Sequence, residues 1–297
     1  MAEEPAERPR RSRLDDAYSN PAIPEGINVS PEHPLKEFAQ LTAGVLGLLV
    51  LAVLLVGWLG GIVGALLPFE TERRLGEPIG EFLTAGYGVH PAQAQALQDI
   101  ADRLATAQPL PDGMRVKVHY SPDETVNAFA TVGGNLVIHR GLVCALGSEN
   151  ALAMVVAHEM AHVRERHVVR SLGRGVLISI VLAAVTGGSD IGAGAGVVQQ
   201  AGVTTSLVYS RDQEREADRL ALANLAGLYG HAAGATALFN ALGESHGKRY
   251  APEWLATHPD TLRRIAAVEA QAREAGWALE GALSPLAPVL AAGCSRS

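Results

Sequence analysis

Ser148-Glu-Asn-Ala-Leu-Ala-Met-Val-Val-Ala-His158-Glu159-Met160-Ala161-His162 reads as a helix that opens on a capping serine and carries the pattern H-E-x-x-H near its end. Serine ahead of an apolar run signals a helix start, because its hydroxyl accepts from a free N–H of the first turn. Ala157, Met160 and Ala161 are strong helix formers around the two histidines. At i and i+4, His158 and His162 stand one turn apart on one face, so both imidazoles reach a single zinc ion at about 2.0–2.1 Å. Glu159 lies at the neighbouring edge of that face. There it can take a proton from a water whose pKa the metal lowers toward about 7, then deliver it to a leaving amine.

A catalytic zinc takes a third protein ligand and keeps a fourth position open. Ser210-Arg-Asp-Gln-Glu214-Arg-Glu216-Ala-Asp218 supplies a ligand on a second predicted helix. Glu214 and Asp218 share a face there, so Glu214 can bind the metal while Asp218 takes the free N–H of a ligating imidazole. Glu216 sits about 200° from Glu214 around the helix and is expected to face elsewhere. The expectation is one zinc ion per subunit, held by His158, His162 and Glu214.

The rest of the chain organises around these two segments. Residues 1–40 are rich in Pro, Glu and Arg and are expected to form a flexible tail. Residues 41–67 run uncharged and Leu/Val/Gly-rich; as a helix they would measure about 40 Å, more than the roughly 30 Å hydrocarbon core, so one tilted transmembrane helix is predicted. The flanking charges, Lys36 against Arg73 and Arg74, nearly tie. Arg8, Arg10, Arg11 and Arg13 in the tail then favour a cytoplasmic N-terminus, with the large domain on the non-cytoplasmic, periplasmic side. Residues 68–89 read as a glycine-punctuated linker, 90–280 as a metallopeptidase domain and 281–297 as a frayed tail. Within the domain, Pro91 to Gln108 is a predicted helix, and Met114–Tyr120, Asn127–Ala130 and Leu136–Ile138 suggest a small antiparallel sheet. The long helix from Ser148 is expected to reach about Leu172, and further helices to span Asp212–Leu228, His231–Leu242 and Pro259 to near Gly276. The apolar stretch Gly175–Ser210, broken by glycines, suggests a buried or membrane-touching hairpin.

With a net charge of −7, the chain has no basic surplus for phosphates, so no nucleic-acid partner is expected. Cys144 and Cys294 are far apart with no C-x-x-C spacing, and neither a disulfide nor a thiolate zinc site can be read from them. His167, five residues past His162, falls off the metal face, and His231 and His246 lie beside glycines; none is assigned a role.

The chain resembles the zinc metallopeptidase family that includes the HtpX heat-shock protease, the CAAX prenyl protease and the OMA-type and periplasmic quality-control proteases, gluzincins of family 48. The likeness covers roughly residues 90–270. It rests on Asn127-Ala-Phe-Ala130, Gly133-Gly134, Arg140-Gly-Leu142, the H-E-x-x-H segment, Ser210 to Asp218, and Thr257-His258-Pro259 followed by Arg264. The resemblance implies a mostly helical, zincin-like fold with a small sheet whose edge strand near Leu136–His139 pairs with an extended substrate. It also implies that His258 lies near the metal, as a transition-state donor or a self-inhibiting fourth ligand, and that Arg264 points to the same site, where either could stabilise an oxyanion. With one clear span, processing or quality control of unfolded or membrane-proximal proteins at the bilayer fits better than prenyl-protein cleavage. Two other classes are weighed. An inactive, membrane-tethered zinc-binding interaction protein would have no use for Glu159, and a transporter component would need more spans.

Overall fold

A computed structural model describes residues 34–111, 113–175, 209–244, 254, 258 and 261–294. Two compact units make up the chain, Met1–Val50 and Leu51–Ser297. Among the described residues, the first contributes only the N-terminal part of helix α1 (Pro34–Leu66). By length and composition α1 could cross a bilayer. Its large apolar side chains are mostly exposed, Leu48, Leu54 and Val63 among them.

Residues 69–87, within the stretch read as a linker, form helix α2 (Phe69–Tyr87), which buries Phe69, Glu72, Gly76, Gly80 and Leu83 along one stripe. Its glycines are contact points. A Cβ on Gly76 would lie 2.3 Å from the Val132 carbonyl oxygen, so only glycine lets the two backbones approach. Helix α3 (Pro91–Ala107) starts on its predicted proline and buries Leu97, Ile100, Ala101 and Leu104.

Three strands follow: β1 (Lys117–Ser121), β2 (Ala128–Thr131) and β3 (Asn135–His139). The small sheet is there, but it is mixed, in the order β1-β3-β2, with β2 antiparallel and β1 parallel to β3. The chain reverses at 122–127 and again through the left-handed Gly133 and Gly134, which lays β3 between the other two strands. The Leu136–His139 strand is therefore central and fully paired. It cannot receive a substrate strand; the edges are β1 and β2.

After α4 (Arg140–Leu146) and a left-handed Gly147, Ser148 caps α5 (Glu149–Arg164) by accepting from the Ala151 N–H. Helix α5 is buried from Asn150 to Val163 and packs against α3, β2 and the later helix α7. It does not run on to Leu172. Arg166 takes φ 62°, a left-handed conformation costing a non-glycine residue about 1–2 kcal/mol, and helix α6 (residues 167–175) sets off in a new direction. Arg166 is held there by its own side chain: Nη1 lies 2.7 Å from buried Glu72 and Nη2 donates to the Leu67 carbonyl. Burial raises the Glu72 pKa, and the Arg166 charge and the Gly133 N–H counter it. Within the second unit, the C-terminal part of α1 lies against α6 through glycines. A Cβ on Gly60 would sit 2.4 Å from the Gly173 oxygen, and one on Gly64 2.3 Å from the Val169 oxygen.

Residues 176–208, and with them the predicted apolar hairpin, lie outside the described residues, as do residues 1–33 of the predicted tail and His246. Helix α7 (Arg211–Tyr229) opens on a capping box between Ser210 and Gln213 and ends at Gly230. Helices α8 (Ala237–Glu244) and α9 (Thr261–Glu274) complete the domain around Leu97, Leu104, Leu136, Leu152, Leu222 and Leu225.

Most of the described C-terminus is ordered rather than frayed. It forms helix α10 (Pro288–Ala291), and Cys294 is disulfide-bonded to Cys144 of α4 across 150 residues of sequence. Arg140 Nη1 donates to the Gly293 carbonyl beside it at 2.8 Å. Such separation hides a pairing from sequence spacing. Cross-linking a loop this long stabilises a fold by about 2–5 kcal/mol. The double substitution Cys144→Ser, Cys294→Ser is expected to lower the thermal midpoint of the purified chain, and reductant should lower that of the wild type alike. Unchanged midpoints in both would show that the cross-link does not constrain the fold.

Candidate active site

Two helix starts fixed locally by capping residues bring the site together. Ser148 fixes the register of α5 and Ser210 that of α7, and these two helices pack side by side. His158, His162 and Glu214 meet at their contact, joined by His258. All four side chains are buried.

The donor atoms are spaced as a small cation requires. His158 Nε2 and His162 Nε2 are 3.0 Å apart, and each lies 3.5 Å from a Glu214 oxygen. His258 Nδ1 is 3.4 Å from His158 Nε2 and 2.9 Å from Glu214 Oε1. A tetrahedron with metal–ligand bonds of about 2.0–2.1 Å has edges of roughly 3.3 Å, in the middle of this range. The charges divide: burial and the neighbouring His158 push the His162 pKa well below the usual imidazole value. Burial works against a charged His158, yet Asp218 and Glu214 hold its pKa up at about 9. Burial would also raise the Glu214 pKa, but His258 and His158 hold its carboxyl well below the usual carboxylate range. A nitrogen and carboxylate donor set of this spacing fits zinc.

Glu159 stands at the rim of the cluster, its Oε1 3.6 Å from His258 Nε2. Both its carboxylate oxygens are buried without a hydrogen-bond partner among the described residues. A buried acceptor pair costs free energy when unpaired, so its presence calls for a reason, of which a catalytic role is one.

Asp218 lies behind the cluster, Oδ1 2.9 Å from His158 Nδ1, the nitrogen turned away from the donors. Arg264 of α9 donates to both its oxygens at 2.7 Å and reaches Glu214 Oε2 at 2.6 Å through Nη1. Burial would raise the Asp218 pKa; the Arg264 and His158 contacts override it and lower it. Glu216 is outside the donor group, as its register predicts, and half-exposed.

Three residues escaped the sequence reading. Trp254 stacks on His258 at 4.4 Å, and Arg264 lies 4.8 Å over its ring. Its i−4 spacing from His258 was the available signal. Tyr209, just before the Ser210 cap, stacks on His162 at 3.8 Å, which no sequence pattern announces. His167, assigned no role, is fully buried with its Nδ1 3.0 Å from His162 Nδ1. By contrast His231 accepts from the Ala233 N–H in a turn, and the helix expected to begin there begins at Ala237.

Arg264→Leu would leave Glu214 and Asp218 buried without their cation, a loss of roughly 3–5 kcal/mol. The expected result is a lower urea midpoint for the metal-free chain. An unchanged midpoint would mean that the two carboxylates do not depend on this guanidinium.

The profile of peptidase family M48 matches residues 91–272. The beta-barrel assembly-enhancing protease of Escherichia coli K12 is 32% identical over 156 residues, 48% of this chain and 32% of the relative. That of Yersinia pestis is 27% identical over 179 residues, 55% of this chain and 36% of the relative. The mitochondrial metalloendopeptidase OMA1 of Schizosaccharomyces pombe is 24% identical over 209 residues, 67% of this chain and 60% of the relative. The chain spans about a third of the length of these bacterial relatives. With the profile matched over more than half of its residues and a buried His-His-Glu-His zinc cluster inside the matched region, the chain belongs to peptidase family M48.

Proposed function

We propose that this chain is a membrane-anchored zinc endopeptidase that hydrolyses peptide bonds of unfolded or membrane-proximal proteins. The observation that carries the reading is a close-set cluster of four metal donors with, at its rim, a buried Glu159 carboxylate that has no hydrogen-bond partner among the described residues. A structural zinc site needs no such neighbour.

His158, His162 and Glu214 are the ligands in this reading. Zinc, when bound, polarises the substrate carbonyl and acidifies water. Glu159 takes the proton of the attacking water on its carboxylate and returns it to the departing amine nitrogen. His258 Nδ1 is the fourth donor in the arrangement described, which favours the self-inhibiting role over that of a standing oxyanion donor. Its ring must withdraw before substrate and water share the site, and it can then donate to the oxyanion. Arg264, already bonded to Asp218 and in contact with Glu214, serves as a positioning residue through those two carboxylates.

The exposed apolar surface of α1 supports an anchor spanning residues 41–67, with the peptidase domain at 90–280. The Cys144–Cys294 disulfide supports an oxidising compartment, hence a domain on the non-cytoplasmic side. The bacterial relatives' name, beta-barrel assembly-enhancing protease, supports quality control of folding proteins as the substrate class.

Full-length protein in detergent with zinc is expected to degrade casein. Glu159→Gln should keep its zinc and lose ~10²–10⁴-fold in turnover, because an amide cannot take the proton. Undiminished turnover would sink the mechanism, and zinc loss would make Glu159 a ligand. For topology, a reporter active only outside the cytoplasm should be active when fused after Ser297 and silent at residue 1. The reverse pattern would put the active site in the cytoplasm.

A further inference from the structure

His167 is fully buried against a metal ligand, yet it is not among the four donors. Its position depends on the turn that ends α5. On an unbroken helix a residue five places after His162 would point about 140° away. Here the left-handed Arg166 swings the chain back, and the His167 ring meets His162 edge to edge, Nδ1 to Nδ1 at 3.0 Å.

Two ring nitrogens at this distance share one proton, and the surroundings decide where it sits. His162 Nε2 faces the donor cluster, so in the neutral ring its Nδ1 carries the proton and donates. His167 Nδ1 must then accept, which leaves the His167 proton on Nε2. That nitrogen faces the Glu216 carboxylate at 3.4 Å. Tyr209, stacked on the His162 ring, fixes its plane from the side.

We propose that His167, backed by Glu216, is a positioning residue that holds His162 in the tautomer and orientation needed to bind the metal through Nε2. It does for His162 what Asp218 does for His158, at one remove, with an imidazole between ligand and carboxylate. The Glu72–Arg166 ion pair holds the turn that makes this contact possible. The inference rests on the zinc reading of the cluster.

The test measures zinc dissociation from the full-length protein in detergent by chelator competition, with the visible spectrum of the cobalt-substituted protein as a report on ligand geometry. His167→Leu is expected to weaken zinc ~10–100-fold and shift the cobalt bands. His167→Gln, whose carbonyl can accept from His162, should recover most of the affinity. Glu216→Ala should weaken zinc by a smaller factor, and added to His167→Leu it should cost nothing more, since it acts through the same ring. Wild-type affinity in His167→Leu, or an unreduced Glu216→Ala effect in the double variant, would overturn the proposal. Should His167→Leu not fold, Glu216→Ala carries the test alone, and unchanged affinity there overturns it as well. A wild-type protein that binds no zinc would instead overturn the zinc reading itself.

Discussion

Two carboxylates one helical turn apart, Glu214 and Asp218, are buried in a domain whose interior is otherwise mostly aliphatic, and one guanidinium lies against both. Isolated buried charges are costly enough that a fold must either neutralise them or surround them with partners. This one surrounds them. Helix α9 is drawn against α7 by Arg264, whose guanidinium carbon lies 4.8 Å from the Trp254 ring centre and 5.0 Å from that of Phe239. His158 Nδ1 lies against the same carboxylate, 2.9 Å from Asp218 Oδ1. The packing of α9 on α7 follows from that one requirement.

Much of the site was legible because it is written in helical arithmetic. His158 with His162, and Glu214 with Asp218, share faces by their spacing alone, and Ser148 and Ser210 announce where each register begins. What escaped depends on contacts between distant parts of the chain. His167 is off the metal face by counting residues; it returns only because Arg166 is held by Glu72, from a helix far upstream. The α2 segment looked like a linker since its glycines read as breakers, whereas Gly76 and Gly80 are places where a side chain would collide with Val132 and Asn135. Strand order could not be counted either, because the alternation of apolar residues says which side chains turn inward and nothing about which strand lies beside which.

Two donors of the cluster, His158 and His162, are supported by different means. His158 leans on a fully charged pair, Asp218 with Arg264, deep in the domain. His162 leans on a neutral ring, with a half-exposed carboxylate behind it. The first support is insensitive to solvent, while the second reaches toward it. The domain thus couples the metal centre to its interior through one histidine and to its surface through the other.

The glycine contacts between α1 and α6 bear on how interchangeable the apolar helix is. A segment that merely tethers a domain can be exchanged for almost any other greasy stretch of similar length. At Gly60 and Gly64 the neighbouring backbone leaves no room even for a methyl group. Neutral drift along this helix is therefore confined to its other faces, and another apolar helix grafted in its place would match its composition and not its shape.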